Sequence, residues 1–197
     1  MNTSVPVEMN LNNLRYVFTR IFHLEAFIFF GTLLGYQREG NIIENDDDID
    51  IYINARHTAD LLDALSTSDF EITIIPCKRW YQRWRKPLFI QAMRVQDGIE
   101  TFVDFYLYND EASDHLEEKW NFLGQWKDIE SAIHVPKSII YPLVNAEMKG
   151  VKIRVPAQSE AVCSFLYGPG WKTPVLKSEG YFMEVIDNKP VFREKGN

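Results

Sequence analysis

The stretch Ala26–Asn54, AFIFFGTLLGYQREGNIIENDDDIDIYIN, decides how the chain is read. Ala26 to Phe30 is apolar and reads as a buried strand running into Gly31-Thr32. A short helical turn follows through Tyr36, then a polar turn at Arg38 to Asn41, then a second strand rich in carboxylates. Strand side chains alternate between faces, so Ile49, Ile51 and Ile53 point into a core while Asp48, Asp50 and Tyr52 point the other way. Asp48 and Asp50 therefore share one face, with α carbons about 6 to 7 Å apart. Both can lean onto one divalent cation, or a pair, placed between them. Without a cation they repel, and one tends to hold its proton. Extended geometry carried one step back would bring Asp46 onto this face and leave Asp47 off it.

Gly31-Thr32 bears on chemistry in a second way. Glycine lets the backbone come close to a ligand, and the free amides of the next helical turn offer an anion site suited to phosphate. Strand, Gly-Thr turn and a strand carrying Asp-x-Asp would hold a phosphate and its metal ion side by side. This is the layout of the nucleotidyltransferase fold, to which DNA polymerase beta also belongs. The string Gly31-Thr32-Leu33-Leu34-Gly35, then Arg38, then Ile42 or Ile43, then Asp46-Asp47-Asp48-Ile49-Asp50-Ile51 resembles the signature of the LicD/fukutin family of phosphotransferases. The resemblance implies an α+β fold of polymerase-beta type, a mixed sheet flanked by helices with a C-terminal helical cap. It also implies magnesium, or manganese in its place, and a CDP-alcohol or other nucleotide donor. The acceptor would be a hydroxyl on a glycan or a lipid-linked molecule, as in modification of cell-surface glycans.

The rest of the chain fits around this stretch. Leu11 to Glu25 carries Leu14, Val17, Phe18, Ile21 and Phe22 at helical spacing. Arg56 to Ser66 reads as an amphipathic helix and Phe70 to Ile75 as a strand. Leu88 to Val95 and Ile99 to Tyr108 form a hairpin through Gln96-Asp97-Gly98. On its second strand Phe102, Asp104 and Tyr106 share a face, and a carboxylate in such an apolar run is costly unless a cation or a donor satisfies it. Phe102-Val103-Asp104-Phe105 is similar to a strand that carries an acidic residue in the LicD family, which makes Asp104 the candidate third carboxylate. By the same resemblance Asp48, Asp50 and Asp104 are the metal and catalytic set, while Gly31, Thr32 and Arg38 seat the donor phosphates.

Arg79, Arg83 and Arg85 interleave with Trp80, Tyr81 and Trp84. This basic patch is either a wall for donor phosphates or an anionic acceptor, or a hairpin turn whose tryptophans pack on the sheet. Asn109 to Ser131 shows little pattern; Trp120, Phe122, Leu123 and Trp126 either fill a core, the commoner role for such aromatics, or line a pocket, and His115 and His134 show no partner. The hairpin around Lys149-Gly150, the strand Val151 to Pro156 and a helix from about Ala157 to Tyr167 ending at Gly168 close the pattern. Leu166-Tyr167-Gly168 and Trp171-Lys172-Thr173-Pro174 are similar to the family's closing segment, read here as a structural cap. The tail from Lys177 reads as a short strand and a frayed end.

With 197 residues, 46% of them hydrophobic, the chain suits one domain, with a catalytic core over about 11–108 and a cap over about 109–176. A net charge of -7 argues against a nucleic-acid partner. Two cysteines, Cys77 and Cys163, make no disulfide framework or zinc motif. No apolar run approaches a membrane span, and the first residues lack the basic and apolar regions of a signal peptide, so a cytoplasmic protein is expected. Two other readings stand beside phospho-alcohol transfer: transfer of a nucleoside monophosphate from an NTP to a small molecule or protein, and a binding module that keeps only the pocket.

Overall fold

A computed structural model describes residues 7–76, 87–119, 132–174 and 181–194. The Arg/Trp stretch 79–85 and the aromatic residues 120–126 lie outside the described residues, as does Cys77.

Helix α1 (Val7–Ile21) buries Leu11, Leu14, Val17, Phe18 and Ile21, the stripe its spacing demands. It starts earlier than expected and stops at Ile21, where bonds from Leu24 N–H to Ile21 O and from Ala26 N–H to Leu24 O turn the chain into β1 (Ala26–Ile28). β1 is shorter than the expected strand because Phe30 adopts a φ of 35°. That left-handed geometry costs a bulky residue about 1 to 2 kcal/mol, offset by packing of the Phe30 ring on Phe29, Tyr52 and Tyr106. Helix α2 then runs from Phe30 to Glu39 and ends on Gly40 at a φ of 61°. The expected turn at Arg38 is thus the last turn of a helix, which ends only where glycine allows the left-handed cap.

β2 (Asp48–Asn54) continues through a short 3-10 turn (Ala55–His57) into α3 (Thr58–Leu65), β3 (Glu71–Pro76), β4 (Pro87–Gln96) and β5 (Ile99–Asn109). The sheet order is β1-β2-β5-β4-β3, with β2 and β5 parallel and the other neighbours antiparallel. This mixed sheet, with helices packed on it, gives the expected α+β class. The β4–β5 turn has Asp97 at φ 53° and Gly98 at φ 76°, the pair of left-handed residues a two-residue hairpin needs. α1 covers one face, where Thr101 accepts from Asn13 and Arg94 donates to Asn13 and Asp69 in a buried polar network.

Two ribbons were not legible as such. β6 (His115–Lys119) pairs with the end of β5 and with β7 (Ala132–Pro136). β10 (Tyr181–Ile186) and β11 (Lys189–Glu194) form a hairpin where the tail reads as one short strand. Its turn places Asp187 and Asn188 at φ 50° and 61°, short polar residues that tolerate this region. Between these ribbons lie α4 (Lys137–Ile140), the hairpin β8 (Val144–Met148) and β9 (Val151–Val155), and α5 (Ser159–Tyr167), which packs on α2. One continuous set of buried side chains runs from Leu11 to Trp171. No helix among the described residues is long and apolar enough to cross a membrane.

Candidate active site

The parallel pairing of β2 with β5 sets the site. Its register puts Asp50 directly beside Asp104 and Asp48 beside Phe102. Asp48, Asp50 and Asp104 thus project from one face, and their ligand oxygens lie within 4.8 Å of one another. Asp50 is 5% exposed and Asp104 7%, so water screens neither well. Burial and then the Asp48, Asp46 and Asp104 carboxylates hold Asp50 well above the ordinary carboxylate range, against a lowering bond from the Thr32 amide. Burial, with Asp48 and Asp47, raises Asp104 to about 7, while a 3.0 Å hydrogen bond from Gln91 Nε2 acts in the other direction.

The alternation does not extend back to Asp46 and Asp47 as a strand would carry it. Asn45 has a φ of 63°, and Asp46 N–H bonds Ile43 O, so the chain turns just before β2. Asp46, Asp47 and Asp48 consequently converge into a second group with ligand atoms within 4.8 Å. Asn10 of α1 donates to Asp46 O at 2.7 Å, and Phe102 N–H donates to Asp47 O at 2.9 Å, which pins this segment from both sides.

Gly31 lies against the cluster: a Cβ there would stand 3.0 Å from Asp50 Oδ2 and 3.3 Å from Asp46 Oδ2. The close approach expected of this glycine is therefore made to the carboxylates. Thr32 is buried, and its Oγ1 accepts from Asp50 N–H at 2.8 Å while its own N–H faces Asp50 Oδ2 at 3.3 Å. Because α2 begins at Phe30, the Thr32 amide turns toward β2 and orients Asp50. Gly35 does a related job, since a Cβ there would stand 2.6 Å from Asn41 O.

Arg38 is not in the cluster. It lies seven residues beyond Gly31, about 10 Å along the helix axis, close enough to Cys163 of α5 to act on that thiol. Cys163 is a buried free thiol, pushed up to about 12 chiefly by burial. α5 runs back along α2, so its last residue, Tyr167, comes near Asp50, Asp46 and Asp48, whose charges add to desolvation in raising its pKa. The structure thus brings the residue read as a cap to the edge of the site.

Three other residues escaped the sequence reading. Gln91 was findable, because the two-residue turn at 97–98 fixes its place opposite Asp104. Tyr106 shares the face of Asp104, and desolvation, Asp50 and Asp104 raise its pKa. Glu118, on β6, gave no signal. It is buried beyond Tyr52, whose hydroxyl donates to it, and burial pushes it up to about 8.

No curated protein matches the chain. Among solved structures it is similar to the lincomycin-bound lincosamide antibiotic adenylyltransferase LnuA, with 17% identity and a TM-score of 0.45 over 83% of this chain and 87% of that one. A family model described as LicD/FKTN/FKRP, nucleotidyltransferase domain, matches residues 23–158, a span that holds β1, α2 and all five acidic residues of the cluster. With more than half its length under that match, the chain belongs to the LicD/FKTN/FKRP nucleotidyltransferase-domain family.

Proposed function

We propose that this transferase moves a phospho-alcohol, such as phosphocholine or ribitol or glycerol phosphate, from a CDP-alcohol to a hydroxyl of a glycan or other acceptor, with magnesium. The observation that carries this reading is the β2–β5 register, which gathers Asp48, Asp50 and Asp104 against Gly31 in a chain of this family. The residues fit a divalent cation: of three close carboxylates two are nearly buried, Asp48 and Asp104 raise the pKa of Asp50 and Asp48 raises that of Asp104, and a hard cation with oxygen ligands offsets that repulsion. Held by these three groups, magnesium would bind donor diphosphate oxygens and offset charge on the leaving CMP.

The chain's own groups supply orientation. Thr32 holds Asp50 at both its backbone N–H and its carboxylate, and Gln91 holds Asp104. The missing side chain at Gly31 leaves the carboxylates an open flank for the diphosphate. Arg38, from the far end of α2, is assigned to a phosphate oxygen of the donor; helical side chains lean toward the N-terminus, which directs its donor fork back toward the cluster. With the cation beside it Asp104 stays ionised, so besides holding the metal it is a modest base for the acceptor's proton, aiding chiefly by orientation. A second reading, transfer of a nucleoside monophosphate from an NTP, draws support from the family description itself.

A thermal-shift panel with magnesium separates the two. Stabilisation by one of CDP-choline, CDP-ribitol or CDP-glycerol, well above that from CTP or ATP and absent without magnesium, is the expected result. A response to an NTP and to none of the CDP-alcohols would replace this reading with the second.

A further inference from the structure

The β6–β7 ribbon carries a second cluster of ligating side chains, on the face turned away from Glu118. Leu116, Glu118, Ile133 and Val135 point inward and are buried, so His115, Glu117 and His134 point outward. Glu117 lies directly opposite His134. The His134 N–H donates at 2.9 Å to Asn188 O, away from β6, which makes Glu117 and His134 a non-hydrogen-bonded pair, the kind whose side chains stand closest. His134 Nε2 and Glu117 Oε2 are 3.7 Å apart, near the separation of about 3.4 Å between two ligands on one tetrahedral ion with bonds of about 2.0 to 2.1 Å.

His115 stands at the diagonal position. Its ring stacks on that of His134 with centroids 4.1 Å apart and an interplanar angle of 19°. Its Nδ1 lies 2.8 Å from Asp114 Oδ1. A carboxylate accepting from Nδ1 fixes the tautomer in which Nε2 carries the lone pair, the arrangement that raises the basicity of a metal-bound histidine. The side chains of His115, Glu117 and His134 are 24%, 36% and 31% exposed, so an ion reaches them from solvent, and ligation by all three requires the His115 ring to turn off that of His134.

We propose that His115, Glu117 and His134, with Asp114 behind His115, form a surface site for a divalent transition-metal cation of the zinc class, distinct from the carboxylate centre. Two imidazoles and a carboxylate suit zinc and disfavour magnesium, which takes oxygen ligands. A cation held there joins β6 to β7 across the outer face of the ribbon that carries Glu118 on its inner one.

The test is a zinc titration of the full chain, free of any purification tag, against a chromophoric chelator in millimolar magnesium to fill the carboxylate centre. One equivalent of zinc is expected to bind. His134→Ala and His115→Ala should each weaken it by more than about tenfold, and Asp114→Asn by about tenfold. Asp48→Asn should leave it unchanged. Zinc should also shift the ring NMR signals of His115 and His134 but not those of His23 and His57. Circular dichroism of the half-exposed variants checks that each is folded. The proposal is overturned if the wild-type chain binds no zinc under these conditions, if binding survives His134→Ala, or if Asp48→Asn abolishes it.

Discussion

A lone buried acid, Glu118, and the crowded carboxylates around Asp50 lie on the same face of the sheet, and they differ in what surrounds them. Glu118 has one polar neighbour of note, the Tyr52 hydroxyl, and no like charge contributes to its shift. Asp50 has three carboxylates around it, and they rank directly behind burial among the causes of its shift. A buried acid paired with a hydroxyl is complete within the fold, holding its proton up to about pH 8. Buried acids crowded together are neutralised either by taking up a proton or by a shared cation. On the function proposed above, the first acid belongs to structure and the second set to chemistry, although sequence alone presents both as acidic residues near strands.

Substitution breaks this comparison most sharply at the cluster. Asp48→Asn or Asp50→Asn should lower turnover at least about a thousandfold, the several kcal/mol that a bound metal contributes to the transition state. The same change should leave the chelated protein as stable as the parent or more so, since it removes repulsion. Turnover in the magnesium assay and melting in EDTA check the two halves; a folded variant with normal turnover would sink the assignment. Gly31→Ala comes next. Its Cβ would stand 3.0 Å from Asp50 Oδ2, and displacement of a catalytic group by about 1 Å costs about a hundredfold, measurable as kcat without loss of fold.

At Glu118 the effects should be on stability alone. Tyr52→Phe removes its donor and should cost about 1 to 3 kcal/mol by urea denaturation, with turnover per folded molecule little changed. Burial raises the Glu118 pKa from 4.5 to about 8. Its favourable contribution is therefore complete below pH 4.5 and lost as pH rises through about 8. Unfolding free energy should fall by a few kcal/mol between about pH 5 and 9, and Glu118→Gln should flatten that slope; an unchanged slope would contradict the assignment. The smallest effect is expected at Gln91. Gln91→Leu removes one amide donor from Asp104 and should weaken magnesium binding and kcat by about tenfold, read from metal titrations.

Much of the cluster was legible because it rests on short-range rules. Period-two alternation alone puts Asp48 and Asp50 on one face, and the Asp-Gly turn fixes where β5 begins, hence which face Asp104 takes. The long-range register that brings Asp50 beside Asp104 is set by the core residues Ile49, Ile51, Val103 and Phe105, and no local rule gives it. β6 was hidden because His-Leu-Glu-Glu-Lys has one apolar residue, and its inward Glu118 reads as solvated until Tyr52 is seen above it. Arg38 was placed in a turn because Gln37 to Gly40 is polar; a solvent-facing helix end has the same composition, and only the left-handed Gly40 distinguishes them. Tyr167 reached the site through the antiparallel packing of α5 on α2, a tertiary fact outside any local pattern.

The most direct test of the central claim is electron paramagnetic resonance of manganese added to the wild-type chain and to Asp50→Asn, each with and without CDP-choline, CDP-ribitol and CDP-glycerol. Manganese should be bound by the wild type, tightened by one of the CDP-alcohols, and lost in Asp50→Asn. Equal binding by both proteins, or a wild type that leaves all manganese free, would contradict it.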